Sequence, residues 1–263
     1  MKNFFCEICN SNLKLVKTIH KPQKNENIFN FSKNKFLKKF YQCKNCHHIF
    51  NFHSFLKKID EIYADQYNKH AHKDLEDKFH KINSLKKNKS SNLNRLEFLF
   101  KFIKKKNKII DIGSGIGIFP FSLKKKGFEI DCIEYDKNAN FFLNKIGLHS
   151  LRKSIINYKI PRKYDFITFN KILEHLNIEQ IKIILGNINS GSKVYIEVPS
   201  IKAKIKGFKR QEFFLEHQNI FSKKSLEILV KKLNFKVIKI SDIKEVNHKF
   251  TLRAVIEKKK III

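Results

Sequence analysis

Short apolar runs that alternate with helical stretches are the feature that most constrains how this chain folds. Between residues 108 and 257 the apolar runs are KIIDI, FEIDCIEY, YDFITF, KVYIEV, KVIKI and TLRAVIE. Strands that are separated by helices lie side by side in a mostly parallel sheet, and the helices cover both of its faces. The sequence therefore predicts an α/β fold built on a doubly wound parallel sheet.

Helix signals between these runs support the same architecture. LNRLEFLFKFI has apolar residues at helical spacing, and Pro120 and Gly127 stand where a helix would begin and end. Asn177 and Ser222 precede apolar-periodic segments and are predicted to cap them. Helices and strands thus follow one another along this whole part of the chain.

The net charge of +31 raises the question of a nucleic-acid partner. Only five of the 55 basic residues are arginine, which is the residue that forks onto phosphates and guanine edges. Lysine, asparagine, isoleucine and phenylalanine are all abundant together, as an A/T-biased coding sequence would produce. Two interpretations stay open: a solvated lysine surface, or a selected field that attracts anions.

Targeting signals are not visible in the sequence. No apolar run reaches the roughly 18 residues of a membrane-spanning helix, and the first residues, MKNFFCEICN, lack the apolar stretch of a signal peptide. We expect a soluble cytoplasmic protein without a membrane span.

Four cysteines form two pairs, CEIC with Cys6 and Cys9 and CKNC with Cys43 and Cys46. Two such pairs supply four thiolates that can surround Zn²⁺ tetrahedrally and leave no open position. The 33 residues between the pairs exceed the usual spacing of about 15–20. A pair of disulfides is the alternative, which a reducing cytosol disfavours. We expect a structural zinc ion that stabilises a small ribbon.

Other residues near this motif have simpler interpretations. Adjacent His47 and His48 stand beside a complete cysteine set and are expected on the surface. Cys132 lies in an apolar run and is expected to be a buried hydrophobe. Residues 55 to 92 are polar and lysine-rich, which predicts a helical connector. The expected division is a zinc ribbon at 1–55, a connector at 56–95 and the α/β domain at 96–263.

The segment DIGSGIG joins the first predicted strand to its helix, where a parallel sheet binds ligands. Gly113, Gly115 and Gly117 allow a sharp turn and the close approach of a ligand. Asp111 precedes them, and a carboxylate beside a pyrophosphate costs about 1–4 kcal/mol. The loop therefore favours a positively charged ligand without phosphate, and S-adenosylmethionine fits this description.

The second half of this site is at the end of the next strand, in CIEYD. Glu134 is placed to accept hydrogen bonds from both ribose hydroxyls, and Tyr135 to lie against adenine. A glycine loop followed about 20 residues later by a strand-terminal acid is a specific pattern for adenosine binding.

Several of these segments resemble the class I S-adenosylmethionine-dependent methyltransferases in order and spacing. They are IIDIGSGIG, CIEYD, YDFITFNKILEHL, YIEVPS and FFLEHQNIFSKKSLEILVKKLNFKV, within residues 96 to 257. The resemblance implies a Rossmann-like sheet of seven strands. It also implies a methionine end lined by Asp111, Gly113, Ser114, Gly115 and Gly117, with Glu134 on the ribose, Asn170 beside the cofactor and Ser154 near the adenine.

The front of the chain resembles the methyltransferases that carry an N-terminal zinc-binding domain. CEIC, CKNCHHIFN and YADQYNKH carry this likeness. Sugar C-methyltransferases acting on nucleotide-linked deoxysugars belong to that group, and they generally continue into a further large domain. The likeness implies that Tyr63 and Tyr67 close over the cofactor; packing of the connector is the alternative.

We therefore expect methyl transfer to a small-molecule acceptor, a sugar or glycoconjugate precursor. An RNA methyltransferase that uses the ribbon and its lysines is a second reading, and a non-enzymatic binder with this fold is a third. Holding the methyl donor and the acceptor in the right geometry contributes most to the rate of such a transfer. A general base is needed only if the acceptor atom loses a proton. His175, Glu197 and His217 are the candidate bases, whereas Glu174 and Glu216 are expected to be solvated or capping residues.

Overall fold

The computed structural model describes residues 5–28, 32–53, 75–156 and 158–260. Its strands are β1 Leu13–Ile19, β2 Lys38–Cys43, β3 Ile49–His53, β4 Lys108–Ile112, β5 Glu129–Ile133, β6 His149–Leu151, β7 Phe166–Asn170, β8 Lys193–Pro199, β9 Asn219–Ile220, β10 Phe235–Lys244 and β11 Phe250–Lys258. The α-helices are α1 Leu75–Asn83, α2 Ser91–Leu99, α3 Ile118–Lys125, α4 Lys137–Lys145, α5 Ile178–Gly186 and α6 Lys223–Lys232. Short 3₁₀ helices lie at Lys33–Lys35, Lys87–Lys89, Leu173–His175, Ile201–Lys206 and Gln211–Phe213.

Seven strands form the main sheet, in the order β10-β11-β8-β7-β4-β5-β6. The five strands from β8 to β6 are mutually parallel, and β11 runs antiparallel to both β8 and β10. The predicted doubly wound, mostly parallel sheet is confirmed. Because parallel strands end at the same edge, the carboxyl ends of β4, β5, β7 and β8 meet there.

The helices that cover this sheet start and stop where the sequence places their signals. Asn177 caps α5 and Ser222 caps α6, each through a reciprocal capping box. On one face α5 and α6 bury Ile181, Leu185 and Leu226, and on the other α2 and α3 bury Leu96, Leu99 and Leu123. Cys132 is fully buried, as expected. Among the described residues, the structure contains no helix whose length and apolarity would let it cross a membrane.

A second, antiparallel sheet carries the cysteine pairs, in the order β1-β2-β3-β9. Its last strand comes from far along the chain, since Ile49 pairs with Ile220 and Phe50 with Asn219. The N-terminal sheet is therefore completed by a segment that follows the main sheet's strand β8. Helix α1 falls within the predicted connector, whereas Tyr63 and Tyr67 lie outside the described residues.

Candidate active site

The turn between β4 and α3 has the backbone that its glycines predict. Gly113, Gly115 and Gly117 have φ angles of +69°, +54° and +76°, a region that L-residues with a Cβ avoid. A Cβ on Gly113 would lie 2.2 Å from Ile172 Cδ1, and one on Gly117 would lie 2.5 Å from Leu143 Cδ2. The outer two glycines are thus required both by backbone angle and by close packing.

Asp111 ends β4 beneath this turn and is only 1% exposed. Its Oδ1 accepts hydrogen bonds from Thr168 Oγ1 at 2.5 Å and from Asn170 Nδ2 at 2.7 Å. Burial raises the pKa of Asp111 to about 6, against the opposing effect of these hydrogen bonds. The carboxylate joins the end of β4 to the end of β7 and holds the floor of the site.

Glu134 follows β5 and is fixed by two backbone amides. Gly115 N donates to Oε2 at 2.7 Å, and Asp136 N donates to Oε1 at 2.9 Å. Burial raises the pKa of Glu134, and these amides oppose that rise. Each carboxylate oxygen keeps a further lone pair for a ligand, as the predicted ribose contact requires.

A cavity of about 590 Å³ opens above the turn. The predicted residues that line it are Gly113, Gly115, Glu134, Tyr135, Ser154, Asn170 and His175. Asp111, Ser114, Gly117, Glu197 and His217 are outside its lining. Ser114 and Gly117 shape the turn instead, through bonds from Ser114 Oγ to the Asp111 carbonyl and from Gly117 N to the Ser114 carbonyl. Direct contact of these residues with a cofactor stays a prediction.

Sequence reasoning missed part of the cavity wall. Helix α1 contributes Leu75, Lys78 and Ile82, and the segments after β6 and β7 contribute Lys153, Ile155, Ile156, Lys171 and Ile172. β6 itself was not recognised because it has only three residues.

Lys171 is held in an unusual conformation beside the cavity. Its φ is +58°, its N–H donates to the Glu197 carbonyl at 2.8 Å, and its Nζ lies 3.6 Å from Glu197 Oε1. A left-handed backbone at a non-glycine residue is a local strain that its surroundings must impose. The bend places Ile172 over Gly113 and turns the chain toward His175.

His175 and His217 lie together at one end of the site, with ring centroids 4.9 Å apart. His175 Nδ1 donates to the Glu216 carbonyl at 2.9 Å, and His217 Nδ1 to the Glu212 carbonyl at 3.2 Å. Burial lowers the pKa of His175 to about 4, and burial together with the neighbouring His175 lowers the pKa of His217 well below its ordinary value. Both rings are therefore neutral at physiological pH.

Glu174 and Glu216, expected to be solvated or capping, are instead enclosed beside these histidines. Glu174 is 1% exposed, and burial raises its pKa to about 8 and that of Glu216 to about 7. The Oε2 atoms of both carboxyl groups are buried and have no hydrogen-bond partner among the described residues. The loop that carries His217 folds over the 3₁₀ turn at Leu173–His175 and buries Glu174, whereas Glu216 is half-buried with its Oε2 atom enclosed.

Glu174, His175 and His217 offer three ligand atoms within 4.8 Å of one another. The positive charges of Lys171 and Lys249 also act on this space, since both lower the pKa of His217. A divalent cation here would be repelled by both ammonium groups. We therefore interpret the cluster as a proton-transfer and hydrogen-bonding site and assign no metal to it.

Glu197, the third predicted base, is committed to buried ion pairs. Arg95 donates two hydrogen bonds to its carboxylate, at 2.6 and 2.7 Å, and Arg253 donates one at 3.1 Å. Although burial alone raises its pKa, these guanidinium groups lower the pKa of Glu197 well below the usual range. Glu197 is fully buried, so its position corrects the prediction: it is a structural anion that anchors α2 and β11 to β8.

The four predicted metal ligands converge at the N-terminal sheet. The Sγ atoms of Cys6 and Cys46 are 3.6 Å apart, those of Cys9 and Cys43 are 3.4 Å apart, and all four lie within 4.8 Å of one another. The edge of a tetrahedron with Zn–S bonds of 2.3 Å is about 3.8 Å, whereas a disulfide would need sulfurs at about 2.0 Å. The cysteines are free thiols, and their arrangement fits a closed zinc site.

The expectation that both adjacent histidines lie on the surface is wrong for His48. His47 is exposed, but His48 is fully buried against Phe50 and Phe221. His48 Nε2 donates to Asn219 Oδ1 at 2.9 Å. The ring joins the cysteine hairpin to β9, which sequence spacing gave no reason to expect.

Comparison with known proteins gave matches at the level of family and fold. The family model described as a methyltransferase domain matches residues 80–240, more than half of the chain. A search of curated proteins found no match.

Among solved structures, a SAM-dependent methyltransferase from Archaeoglobus fulgidus has a TM-score of 0.55 at 18% identity, covering 64% of this chain and 95% of that one. The 1,6-didemethyltoxoflavin-N1-methyltransferase of Burkholderia thailandensis, solved with its substrate and S-adenosylhomocysteine, has a TM-score of 0.55 at 10% identity, covering 78% and 88%. The glycopeptide N-methyltransferase MtfA has a TM-score of 0.52 at 8% identity, covering 64% and 90%. At these identities the likeness concerns the fold. The fold, the glycine turn and the matched family model agree, and the chain belongs to the methyltransferase-domain family as an S-adenosylmethionine-dependent enzyme.

Proposed function

We propose that the protein methylates a small-molecule acceptor, a sugar or glycoconjugate precursor, whose reacting group loses a proton. The observation that carries this proposal is the cluster of Glu174, His175 and His217, of which His175 lines the edge of the cofactor cavity. This cluster is suited to binding hydroxyl groups and to accepting a proton from one of them.

The residues of the chain divide the work between two ends of the cavity. The Gly113–Gly117 turn, Glu134, Tyr135 and Asn170 are the proposed cofactor contacts, and the bound cofactor supplies an activated methyl group on a sulfonium. Asn170 lies between this end and His175, and its Nδ2 is already committed to Asp111. Its Oδ1 is buried without a partner among the described residues, so the amide has an acceptor to offer a bound ligand.

Neutral histidines suit the role of base at the acceptor end. Because burial keeps the pKa of His175 near 4 and that of His217 low, each ring is neutral at neutral pH, the form that accepts a proton, and is a weak base. Glu174 has a ligand atom within 4.8 Å of one on each ring, and its raised pKa of about 8 makes its carboxylate the stronger base, so it can take over a proton from either ring. We propose that His217 or His175 removes the acceptor's proton as the methyl group transfers.

The four cysteines are proposed to hold one structural Zn²⁺. Free thiols at tetrahedral separations support this, and four protein ligands leave no position for substrate. The metal would stabilise the N-terminal sheet, whose own core is small: Phe40 and Ile49 pack there against Phe213 and Ile220 from the rest of the chain.

A small-molecule acceptor agrees better with the surface than RNA does. Residues 1–55 contain no arginine, and two of the five arginines, Arg95 and Arg253, are buried in the ion pairs of Glu197. RNA recognition would favour exposed arginines and aromatic rings on the N-terminal sheet. Two structural neighbours are named for their own acceptors, a toxoflavin precursor and a glycopeptide. A sugar or glycoconjugate precursor is an acceptor of the same general kind.

The test is an acceptor screen with methyl-labelled S-adenosylmethionine. The panel contains nucleotide-linked deoxysugars, glycan precursors and RNA oligonucleotides, with calorimetry of S-adenosylhomocysteine binding as a check on the cofactor site. We expect label on a sugar, and we expect His217→Gln to reduce transfer while cofactor binding is retained.

Each other result has a defined meaning. Label on RNA alone would replace this proposal by the nucleic-acid one, and cofactor binding without transfer to any class would favour a binding protein. Undiminished transfer by both His217→Gln and His175→Gln would remove the histidine base from the mechanism.

A further inference from the structure

Strands β2 and β3, with Cys43 and Cys46 at their connection, form the cysteine-bearing hairpin. Side chains of this hairpin donate hydrogen bonds to backbone carbonyls of the loop that carries His217, residues 213–219. Lys38 Nζ donates to the Phe213 carbonyl at 2.8 Å. Asn51 Nδ2 donates to the carbonyls of Phe214 and His217 at 3.2 and 3.0 Å. The 213–219 loop is therefore held by strands β2 and β3 along most of its length.

Asn51 is the centre of this arrangement. Its side chain spans two carbonyls of the loop, and its backbone N–H donates to the carbonyl of Gln218 at 3.0 Å. Asn51 is 2% exposed, so a carbonyl that lost its bond here would gain no water in exchange. Three carbonyls of the loop, those of Phe214, His217 and Gln218, thus take hydrogen bonds from one residue of β3.

The opposite side of the same loop faces the cavity edge. Gln218 N and Nε2 donate at 2.8 Å to the carbonyls of Glu174 and His175, and His175 returns a bond to the Glu216 carbonyl. The position of His217 against His175 is consequently set by a loop clamped between β3 and the segment that follows β7.

The cysteine site fixes the hairpin that does the clamping. Cys43 is the last residue of β2, its N–H donates to the His48 carbonyl at 2.9 Å, and β3 begins at Ile49. The turn that contains Cys43 and Cys46 is also bonded to the start of α6, since Ser222 Oγ donates to the Cys46 carbonyl at 2.5 Å. A metal on the four thiolates would therefore lock the turn from which β3 leaves.

We propose that Asn51 is a positioning residue for methyl transfer, through which the zinc-bearing hairpin holds His217 at the acceptor site. This rests on the proposed function, in which His217 contacts the acceptor. The N-terminal sheet then forms part of the active site, and loss of zinc loosens the acceptor end while the cofactor end keeps its shape.

Hydrogen exchange measured by mass spectrometry on the full chain tests the coupling without any acceptor. The protein is compared with its zinc bound and after treatment with a chelator. Amides of the 213–219 loop should exchange about tenfold faster or more after chelation, whereas those of the Gly113–Gly117 turn should stay within about twofold. Protection that is lost throughout the seven-stranded sheet, or lost nowhere, would overturn the proposal.

A second measurement separates positioning from general stability. Asn51→Leu removes both side-chain donors at similar volume, and NMR titration follows the ring of His217. We expect its pKa to rise toward the ordinary value of about 6.5 as the released loop hydrates the ring. The charged and titratable groups that act on this ring are His175, Lys171 and Lys249, and Glu174 lies beside it. The carboxylates of Glu174, Glu212 and Glu216 act in turn on Lys249.

Asn45→Leu is the matched control, because Asn45 lies in the same hairpin and its exposed side chain bonds only Lys224 of α6 among the described residues, while its backbone bond to the Cys43 thiol is kept. It should leave the His217 titration unchanged. An unchanged titration in N51L would refute the positioning role, and if N51L does not fold, the exchange experiment on the native chain decides. If His217→Gln transfers methyl normally while both readouts behave as expected, the coupling stands and the proposed base falls.

Discussion

Asn170 Nδ2 donates a hydrogen bond to Asp111 Oδ1 over 2.7 Å, joining the ends of two neighbouring parallel strands. The aspartate that precedes the glycine turn thus accepts hydrogen bonds from side chains of the protein itself. Its buried charge and the amide together define the floor on which a cofactor would lie. The turn disfavours phosphate because the carboxylate of Asp111 is buried directly below it.

Asp111→Ala should weaken binding of S-adenosylhomocysteine. The change removes the acceptor of the Asn170 amide and leaves the Thr168 hydroxyl only its longer bond to the Ile110 carbonyl. The loss of such a bond costs about 1–3 kcal/mol, and a loss of that size in the complex raises Kd about fivefold or more. Isothermal titration calorimetry measures it. Asp131→Ala is the control, since Asp131 lies on β5 outside the cavity lining and bonds His149 and Tyr164. Equal affinity of D111A and native protein would contradict the placement of the cofactor.

Gly113→Ala should damage the turn more than Gly115→Ala. Both residues have positive φ, but a Cβ on Gly113 meets Ile172 at 2.2 Å whereas one on Gly115 meets nothing within 4 Å. The backbone penalty of about 1–2 kcal/mol is shared, so the difference between the two variants reports the clash. Thermal unfolding and calorimetry of both variants give the comparison. Similar losses in the two would show that the Ile172 contact is unimportant.

The parts of the molecule that the sequence predicts well are those determined by neighbours in the chain. The caps of α5 and α6, the glycine turn and the four cysteines each depend on residues within a few positions. The partners of Glu197 do not: Arg253 reaches it because β11 pairs antiparallel with β8, and Arg95 reaches it from α2. The sequence shows neither arginine beside Glu197, and for this reason Glu197 was predicted to be a base.

Contacts between distant parts of the chain also explain why His48 and Glu174 were wrongly predicted to be exposed. His48 and Glu174 look exposed by sequence context, but segments far along the chain cover them: β9 pairs with β3 beside His48, and the 213–219 loop packs over Glu174. Asn51 and the His217 carbonyl are 166 positions apart and have no local signature. Contacts of this range depend on topology, which the residues alone did not specify.

Glu197→Gln should destabilise the fold strongly. Neutralising this carboxylate leaves Arg95 and Arg253 buried around an amide, and breaking a buried pair costs about 3–5 kcal/mol. Glu227→Gln is the matched control, because Glu227 forms an exposed pair with Lys231 of a kind that contributes about 0–1 kcal/mol. Urea unfolding of the two variants measures the difference. If E197Q unfolds as E227Q does, the ion-pair network contributes little.

The purified chain should contain one zinc ion, and Cys6→Ser should lower the zinc content and the stability of the N-terminal sheet. Three thiolates and a hydroxyl bind the ion far less tightly than four thiolates. Cys132→Ser serves as the control, because Cys132 is buried in the main sheet and outside the cysteine cluster. Elemental analysis per chain reports the result. Full zinc content in C6S would exclude Cys6 from the ligand set.

As the pH rises from about 6.5 to about 8, the free energy of unfolding of the native protein should fall relative to that of Glu174→Gln. The zinc-bound thiolates and the histidines titrate alike in the two proteins, so the difference between them reports Glu174. Burial raises the pKa of Glu174 from 4.5 to about 8, so over this range the native state binds more protons than the unfolded state. By proton linkage, the contribution of Glu174 to the free energy of unfolding then decreases with pH. Glu216, whose pKa burial raises to about 7, adds to the decline at the lower end of the range.

The comparison of two proteins separates Glu174 from the histidines. Burial lowers the pKa values of His175 and His217, so these rings change the free energy of unfolding in the opposite direction, and they do so equally in the native protein and in E174Q. The charges that act on Glu174 are those of Lys171, Glu197 and Glu216. Urea unfolding of the zinc-loaded native protein and of E174Q at several pH values gives the two slopes. Equal slopes would mean that Glu174 is ionised in the folded protein at neutral pH, and the proton-sharing role proposed for it would fall with its raised pKa.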